Sequence, residues 1–298
     1  MQAISLYSGA GGLDLGFEQA GIEIIMANDS WSVATDTYLI NRQDAKMLAG
    51  TISTHVHDIM NVGRKNDVDM VFGGPPCQDF SSAGWRTGEG ERANQTKNFV
   101  DLALKILPEW IVMENVNTIM SIGRRHVEMT IAQIKKAGYG ITTQVLDAVD
   151  FGVPQFRKRF FLIARMKGND DDQEIKLLIN NEKRKRKTVR EYNPSLDTKY
   201  YYRHPWSFER RAIFSVDEPS PTIRGVNRPI PPNYKIHHND ATSDLKQVRP
   251  LTTDERAILQ TFPKEYRFVG NKTQREQQIG NSVPPMMAQA VANAIREY

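Results

Sequence analysis

Cysteine is nearly missing from this chain: Cys77 stands alone among 298 residues. A lone thiol forms no intramolecular disulfide and no cysteine-rich zinc module, which excludes a secreted, disulfide-stapled scaffold. Long apolar runs are missing too. None approaches the roughly 20 residues of a membrane span. The opening Met1-Gln2-Ala3-Ile4-Ser5-Leu6 lacks the basic flank and apolar stretch of a signal peptide. A cytoplasmic protein with no membrane partner is expected. The six histidines show no metal-ligand spacing, so no metal is expected, and no internal repeat is visible. What is present is ordinary for a globular protein: 40% hydrophobic and 25% charged residues, which argues against wholesale disorder. The length suffices for one large domain or two modest ones.

Net charge is also scarce, at +4, but it is unevenly spread. Residues 151–250 hold 21 Lys and Arg against 12 Asp and Glu, whereas the rest of the chain holds 18 against 23. A basic middle in an acidic frame suggests a polyanion partner at one region. The plain alternative is a solvated loop, because Glu182-Lys183-Arg184-Lys185-Arg186-Lys187 supplies much of the excess.

The first 165 residues alternate between short apolar runs and helical patterns. Ala3–Tyr7, Ile24–Ala27, Met70–Phe72, Trp110–Met113, Ile141–Leu146 and Phe160–Ile163 read as strands, several of them apolar throughout, as in a sheet covered on both faces. Leu13, Phe17 and Ala20 recur at helical spacing, as do Phe99, Leu102, Ala103 and Ile106, then Val127, Ile131 and Ile134. Gly21 and Gly138 sit where helix ends are expected. This alternation predicts a doubly wound, mainly parallel α/β sheet. Beyond residue 165 the pattern fails. Asp170-Asp171-Asp172 and the basic run read as surface loop, and Pro205, Pro219, Pro221, Pro229, Pro231 and Pro232 punctuate a small irregular region. Helical periodicity returns at Thr253–Leu259 and again after Pro284-Pro285, where proline suits a first turn.

Five segments carry chemistry. Tyr7-Ser8-Gly9-Ala10-Gly11-Gly12 is a glycine-rich turn between the first strand and first helix, where backbone can approach a ligand closely. The next strand ends at Asn28-Asp29, a position from which a carboxylate can accept from ribose hydroxyls. Gly73-Gly74-Pro75-Pro76-Cys77-Gln78-Asp79-Phe80-Ser81 places the thiol after a strand, behind a rigid Pro-Pro, as a nucleophile candidate; a small core residue is the competing reading. Glu114-Asn115 closes the next apolar strand and should emerge at the same sheet edge, as an acid able to bond a heterocycle. In Gln155-Phe156-Arg157-Lys158-Arg159, alternate residues share a face, so an amide and two guanidiniums line up toward phosphate or carbonyl oxygens. Gly280-Asn281-Ser282-Val283 precedes the last helix and reads equally well as an ordinary cap.

In this order the segments resemble the bacterial, restriction–modification type of DNA (cytosine-5)-methyltransferase, over nearly the whole chain. Pro76-Cys77-Gln78, Glu114-Asn115-Val116, Gln155-x-Arg157-x-Arg159 and Gly280-Asn281-Ser282-Val283 are its motifs, with Arg249-Pro250-Leu251 through Gln260-x-Phe262-Pro263 between the last two. The resemblance implies a Rossmann-like methyltransferase sheet over 1–165, a small irregular target-recognition domain over 166–248, and a return to the catalytic domain over 249–298. It implies S-adenosyl-L-methionine as methyl donor, leaving S-adenosyl-L-homocysteine, with double-stranded DNA as substrate. Tyr7, Ser8, Gly9, Ala10, Gly11 and Gly12 would line the methionine end, Asp29 the ribose, and Ser30 or Trp31 with Asp58, Ile59, Pro75 and Asn98 the adenine region. Asn281, Ser282 and Val283 would close the pocket. Cys77 would add to the cytosine ring, with Glu114 on N3 and the amine, Arg159 on O2, and Arg157 and Gln155 bracing. Gln78, Ser81, Arg203, Arg210, Arg211, Thr222, Arg224 and Arg228 are the expected DNA contacts. A paired restriction endonuclease acting on the same site would suit a chain of this length. The rival readings are a tRNA cytosine methyltransferase and a catalytically silent DNA-binding subunit. The late Cys-Phe-Thr of the RNA branch cannot occur in a chain whose only cysteine is Cys77.

Overall fold

The computed structural model describes residues 1–76, 93–207 and 209–298, excepting the side chains of Ala93 and Asn94. Its larger part is one seven-stranded sheet. Strands β1 (Gln2–Leu6), β2 (Glu23–Asp29), β3 (Met47–Ala49), β4 (Met70–Gly73), β5 (Trp110–Val116), β6 (Tyr139–Asp147) and β7 (Lys158–Met166) lie in the order β3-β2-β1-β4-β5-β7-β6. The first five pair in parallel, and β7 runs antiparallel between β5 and β6. The expected α/β sheet is present. The order turns back at β1, with β2 on one side and β4 on the other. Beyond the carboxyl ends of these strands lies the crevice where open α/β sheets bind ligands.

Strand periodicity explains why these runs are apolar throughout. Successive side chains point to opposite faces. Ala3, Met70, Phe72, Trp110, Val112, Phe161 and Ile163 join one buried cluster, and Ile4, Leu6, Val71, Ile111, Met113, Phe160 and Leu162 the other. Helices α1 (Gly12–Gln19), α6 (Gln173–Asn181) and α10 (Pro285–Glu297) cover the first face. Helices α3 (Ile52–Lys65), α4 (Ala93–Ile106) and α5 (Arg124–Lys136) cover the second. Helix α2 (Ser32–Asn41) joins β2 to β3. The Phe17 and Phe72 rings stack at 4.4 Å between α1 and the sheet. Gly21 and Gly138 follow α1 and α5 with φ of 82° and 92°, a conformation that favours glycine.

The segment read as loop after residue 165 contains α6. Asp172, one of the three aspartates, caps that helix by accepting from the Glu174 N–H at 2.9 Å, and Ile175 and Ile179 bury themselves in the sheet's first cluster. Two inward isoleucines in nine residues are too weak a pattern to stand out beside charge runs on both sides. Strand β3 was missed for a similar reason, since three residues carry no period.

The remaining elements are short. Helix α7 (Val189–Tyr192) precedes a three-stranded sheet, β10-β8-β9, formed by β8 (Tyr200–Tyr202), β9 (Ile213–Ser215) and β10 (Val248–Pro250). Helices α8 (Thr253–Leu259) and α9 (Lys272–Asn281) then lead back to α10. Both open with capping boxes, Thr252 with Glu255 and Asn271 with Gln274. A third buried cluster, including Val189, Tyr201, Ile223, Leu259, Phe262 and Ile279, joins this region to Leu15 of α1. Among the described residues no helix is long and apolar enough to cross a membrane.

The return of α10 depends on one glycine. A Cβ on Gly16 would lie 2.4 Å from the Ala288 Cβ and 2.4 Å from the Pro285 carbonyl. Backbone cannot yield as a flexible side chain can, so Gly16→Ala is expected to cost about 1–3 kcal/mol of stability by forcing the helices apart. Urea unfolding of both proteins measures the difference; an unchanged midpoint would contradict this packing.

Candidate active site

The turn leaving β1 is strained in a way that exposes backbone. Tyr7, Gly9 and Gly11 all have positive φ, at 56°, 54° and 78°. The Ser8 N–H and hydroxyl both donate to the Asn28 carbonyl, at 3.0 and 3.3 Å. Among the described residues, nothing lies within 4 Å of where a Gly9 Cβ would stand. With respect to those residues the turn is open at Gly9, and the first turn of α1 begins three residues later. From β2, the Asp29 carboxylate accepts from the Gly9 N–H and the Trp31 N–H, each at 2.8 Å. Burial raises the Asp29 pKa, while these backbone donors pull it back. Each carboxylate oxygen keeps acceptor capacity for a hydroxyl. Ser30 is exposed, and Trp31 is half-buried at the start of α2.

The C-terminal segment reaches the same turn. A Cβ on Gly12 would meet the Val283 carbonyl at 2.6 Å and the Ser282 Cβ at 3.0 Å. Val283 is buried, while Asn281 is exposed at the end of α9. On the other flank the Tyr7 hydroxyl donates to the Gln95 Oε1 at 2.7 Å, three residues before half-buried Asn98 on α4. Asp58 and Ile59 lie elsewhere. Both are inside α3; Asp58 is exposed and pairs with His55 at 3.6 Å, and Ile59 is fully buried in the second core cluster. Their expected place beside the adenine is corrected by this. The residues beside Asp29 are Ala49, its partner on β3, and Gly50, with Thr51 next in the chain. Gly50 N–H donates to the Asp29 carbonyl at 2.9 Å, and the Asn28 amide donates to the Leu48 and Gly50 carbonyls at 2.7 and 2.9 Å. Recognising β3 would have found them.

Strand β5 delivers Glu114 to the same edge. The Arg159 Nε stands 2.9 Å from the Glu114 Oε1, and both side chains are about nine-tenths buried. Burial dominates the electrostatics of each: it raises the Glu114 pKa against the pull of Arg159 and Arg157, and lowers that of Arg159 against the pull of Glu114. A pair whose mutual attraction does not repay its desolvation gains from a further polar partner. Gly74 makes room for it, since a Cβ there would sit 3.0 Å from the Glu114 Oε2. Asn115 holds the exit of β4 by donating to the Pro75 carbonyl at 3.1 Å. Cys77 follows Pro76 directly in sequence; Cys77, Gln78 and Ser81 lie outside the described residues.

Arg157 and Gln155 turn into the seam between the sheet and the later elements. The Arg157 guanidinium donates to the carbonyls of Ile223 at 2.9 Å and of Gly280 and Ser282 at 2.8 Å each, and the residue is 1% exposed. Gln155 accepts from the Ile223 N–H at 2.9 Å and donates to the Gln260 Oε1 at 2.6 Å. Gln260 in turn donates to the carbonyls of Ile279 and Ser282, both at 2.9 Å. These contacts fasten Ser282-Val283 against Gly12.

A family model described as C-5 cytosine-specific DNA methylase matches residues 1–297. The chain belongs to this family. As a C-5 cytosine-specific methylase it is a DNA (cytosine-5) methyltransferase. It is 44% identical to the type II methyltransferase M.HgiDI of Herpetosiphon aurantiacus, covering all of this chain and 95% of that one. It is also 44% identical to the type II methyltransferase M.HindV of Haemophilus influenzae, covering all of this chain and 97% of that one. Among solved structures, a putative DNA modification methyltransferase from an Escherichia coli prophage superposes with a TM-score of 0.70 at 23% identity, covering all of this chain and 99% of that one. The Dnmt2 methyltransferase of S. pombe gives 0.71 at 19%, covering 99% of this chain and 97% of that one. These two share the fold.

The methylase's basic candidates divide by what they touch. Arg203 donates from Nε and Nη2 to the Thr222 carbonyl, at 3.1 and 3.0 Å, and Thr222 donates its hydroxyl to the Phe156 carbonyl at 2.7 Å. Arg211 pairs with Glu218, lies 4.4 Å over the Phe214 ring, and donates to the Ile213 carbonyl at 3.0 Å. Arg224 donates to the His204 carbonyl and stacks 4.6 Å from the ring of Trp206, an exposed tryptophan. Arg210 and Arg228 are exposed. Thus Arg203, Arg211 and Arg224 are engaged within the protein and partly buried, whereas Arg210 and Arg228 are exposed.

Removing the Arg157 guanidinium takes this donor from the Ile223 and Gly280 carbonyls and leaves the Ser282 carbonyl with the Gln260 amide. Arg157→Met is expected to destabilise the methylase by roughly 3 kcal/mol or more, measured by chemical denaturation. Arg210→Met, at an exposed position, is expected to stay within about 0.5 kcal/mol of the parent protein.

Proposed function

We propose that the methylase transfers the methyl group of S-adenosyl-L-methionine to C5 of a cytosine flipped out of double-stranded DNA, through a covalent bond between Cys77 and C6. The observation that carries this reading is the convergence, at one sheet edge, of the turn Tyr7–Gly12, Asp29, the Gly74–Pro76 exit and the Glu114–Arg159 pair. The residues fit the cofactor. Gly9 is open with respect to the described residues, Asp29 has acceptor capacity for ribose hydroxyls, and Ser282-Val283 close against Gly12. Tyr7, Ser8, Gly9, Ala10, Gly11 and Gly12 would hold its methionine end. Gly50 and Thr51, rather than Asp58 and Ile59, would flank its far end with Trp31, Pro75 and Asn98. When bound, the cofactor supplies an electrophilic sulfonium methyl.

Cytosine C5 is a weak nucleophile until C6 is saturated. The Cys77 thiolate forms a bond to C6, and the ring electrons move to C5 as an enamine. Glu114 bonds N3 and the exocyclic amine; its raised pKa favours sharing a proton with N3 as negative charge reaches the ring. Arg159, already against Glu114, donates to O2. C5 would then take the methyl group that the bound cofactor supplies, with S-adenosyl-L-homocysteine as the by-product. A base then removes the C5 proton and the C6–S bond breaks, restoring the thiolate. Unstacking the cytosine costs a few kcal/mol, offset by contacts in the pocket.

The basic stretch within 166–248 would meet the duplex, through Arg210 and Arg228 first, with residues 1–165 and 249–298 forming the catalytic body. The type II methyltransferase names of the relatives support a restriction–modification role; a paired endonuclease acting on the same site and a place in the bacterial cytoplasm would suit that role. The test is labelled S-adenosylmethionine with DNA of varied sequence, followed by mapping of the methylated cytosines. Label on cytosine C5 within one sequence is expected. Cys77→Ser should lower turnover by about 1,000-fold or more, and Glu114→Gln by roughly 100-fold. Label on tRNA but on no DNA, or full turnover by Cys77→Ser, would overturn the proposal.

A further inference from the structure

The glycine-rich turn has two sides. One is the open side at Gly9. On the other, the Arg42 guanidinium at the end of α2 is almost enclosed, with a side chain 10% exposed. It grips Glu18 of α1 through Nε and Nη2, each at 2.8 Å, donates to the Gly11 carbonyl at 3.2 Å, and donates to the Tyr266 hydroxyl at 3.0 Å. That hydroxyl in turn donates to the Ala10 carbonyl at 2.5 Å. Two successive carbonyls of the turn are thus held from behind. The Arg42 guanidinium also lies 4.4 Å over the Tyr38 ring, and the Tyr38 hydroxyl donates to buried Asp14 at 2.9 Å.

Tyr266 comes from 256 residues beyond Ala10, so this is a tertiary clamp. Its position is itself fixed. The ring packs against Phe262 and Phe268, at 4.8 and 5.4 Å between centroids. The neighbouring backbone is tied to α2: the Asn41 amide donates to the Arg267 carbonyl at 2.8 Å and accepts from the Arg267 N–H at 2.9 Å. The Val269 N–H donates to the Thr37 hydroxyl at 2.9 Å. The clamp also explains Gly11 sterically, since a Cβ there would meet the Arg42 Nη1 at 2.6 Å and the Tyr266 hydroxyl at 3.1 Å.

A peptide unit whose carbonyl is held on one side cannot rotate without losing that bond. Left-handed residues such as Tyr7 persist only where the surroundings over-determine them. Arg42 and Tyr266 therefore fix the turn's peptide planes before any ligand arrives, and a preorganised site avoids an ordering cost on binding. We infer that Arg42 and Tyr266 are positioning residues for the methyl donor, locking the glycine-rich turn from the face opposite its ligand side. Neither touches the open side at Gly9. The inference rests on the cofactor reading above, and it adds that affinity for the cofactor is set partly from behind the turn.

The experiment is calorimetric titration of the purified full chain with S-adenosylhomocysteine, alongside steady-state kinetics and thermal melting. Tyr266→Phe keeps the ring packing and removes only the hydroxyl; Arg42→Met removes the guanidinium. The dissociation constant is expected to rise about 3–10-fold for the first and about 10–100-fold for the second. The KM for S-adenosylmethionine should rise in step, while the KM for DNA and the kcat at saturating cofactor stay within about twofold. Ile134→Ala, in α5 on the sheet's second face, serves as a control that lowers stability away from the turn. It should lower the melting temperature and leave cofactor affinity unchanged. Unchanged affinity in folded Tyr266→Phe and Arg42→Met would overturn the inference. So would losses that Ile134→Ala reproduces at equal loss of stability. Failure of the unaltered protein to bind S-adenosylhomocysteine would instead overturn the cofactor reading itself.

Discussion

Much of this molecule depends on one buried guanidinium. Among the described residues Arg157 has no carboxylate in its hydrogen-bond set; its two Nη atoms donate to the carbonyls of Ile223, Gly280 and Ser282. Burial and the neighbouring Arg159 both push its pKa down, so the charge is held at a cost. Three carbonyl dipoles offset that cost and, in doing so, bring two distant stretches of chain to the start of β7. One leads toward Arg224 and the basic surface. The other, Gly280–Ser282, ends α9 and places Val283 over Gly12. A neutral residue of similar length fills the space but cannot gather three acceptors, which is why arginine suits the seam.

The same strand end that supplies this brace supplies the buried ion pair of Glu114 and Arg159. Arg159 is two residues from Arg157 and pairs across the sheet with Val116, two residues from Glu114. Antiparallel pairing of β5 with β7 is thus what brings Glu114 and Arg159 to 2.9 Å. A fully parallel neighbour would set the amino end of its strand at the opposite edge, and its arginine with it. The reversal of β7 within a parallel sheet is in this sense a chemical requirement as well as a topological detail. It places a cation, an acid and the Pro-Pro exit of β4 side by side, with Gly74 giving the carboxylate its room.

How much of this the residues disclosed depends on whether the signal was local. The strands of the sheet were legible because both faces are covered, so their apolar runs are unbroken. Glu114, Gln155 and Arg157 were legible as motif members because each sits at a strand end of readable pattern. Helix α6 was not, because its two inward isoleucines are flanked by charge on both sides. Asp58 and Ile59 were misplaced because Asp-Ile in an amphipathic helix looks like Asp-Ile in a loop; β3, too short to show a period, would have pointed to Gly50-Thr51. Arg42, Glu18 and Tyr266 carried no signal. Their association spans 224 residues between Arg42 and Tyr266, and nothing in the sequence around either one announces a partner.

The seam toward the basic region is built largely on main-chain acceptors. Arg157 binds three carbonyls, Arg203 binds that of Thr222, Arg224 that of His204, and Arg256 that of Arg224. Every residue type provides a carbonyl, so such contacts do not dictate the side chain at the acceptor position. His204 and Arg224 can be exchanged without removing the oxygens that the neighbouring guanidiniums hold, provided the backbone path is kept. A methylase that must read a particular DNA sequence needs this separation. Its docking to the large sheet is written in backbone geometry and in the few side chains that donate to it, so that, on the proposed function, outward side chains of the same loops would vary with the DNA sequence read.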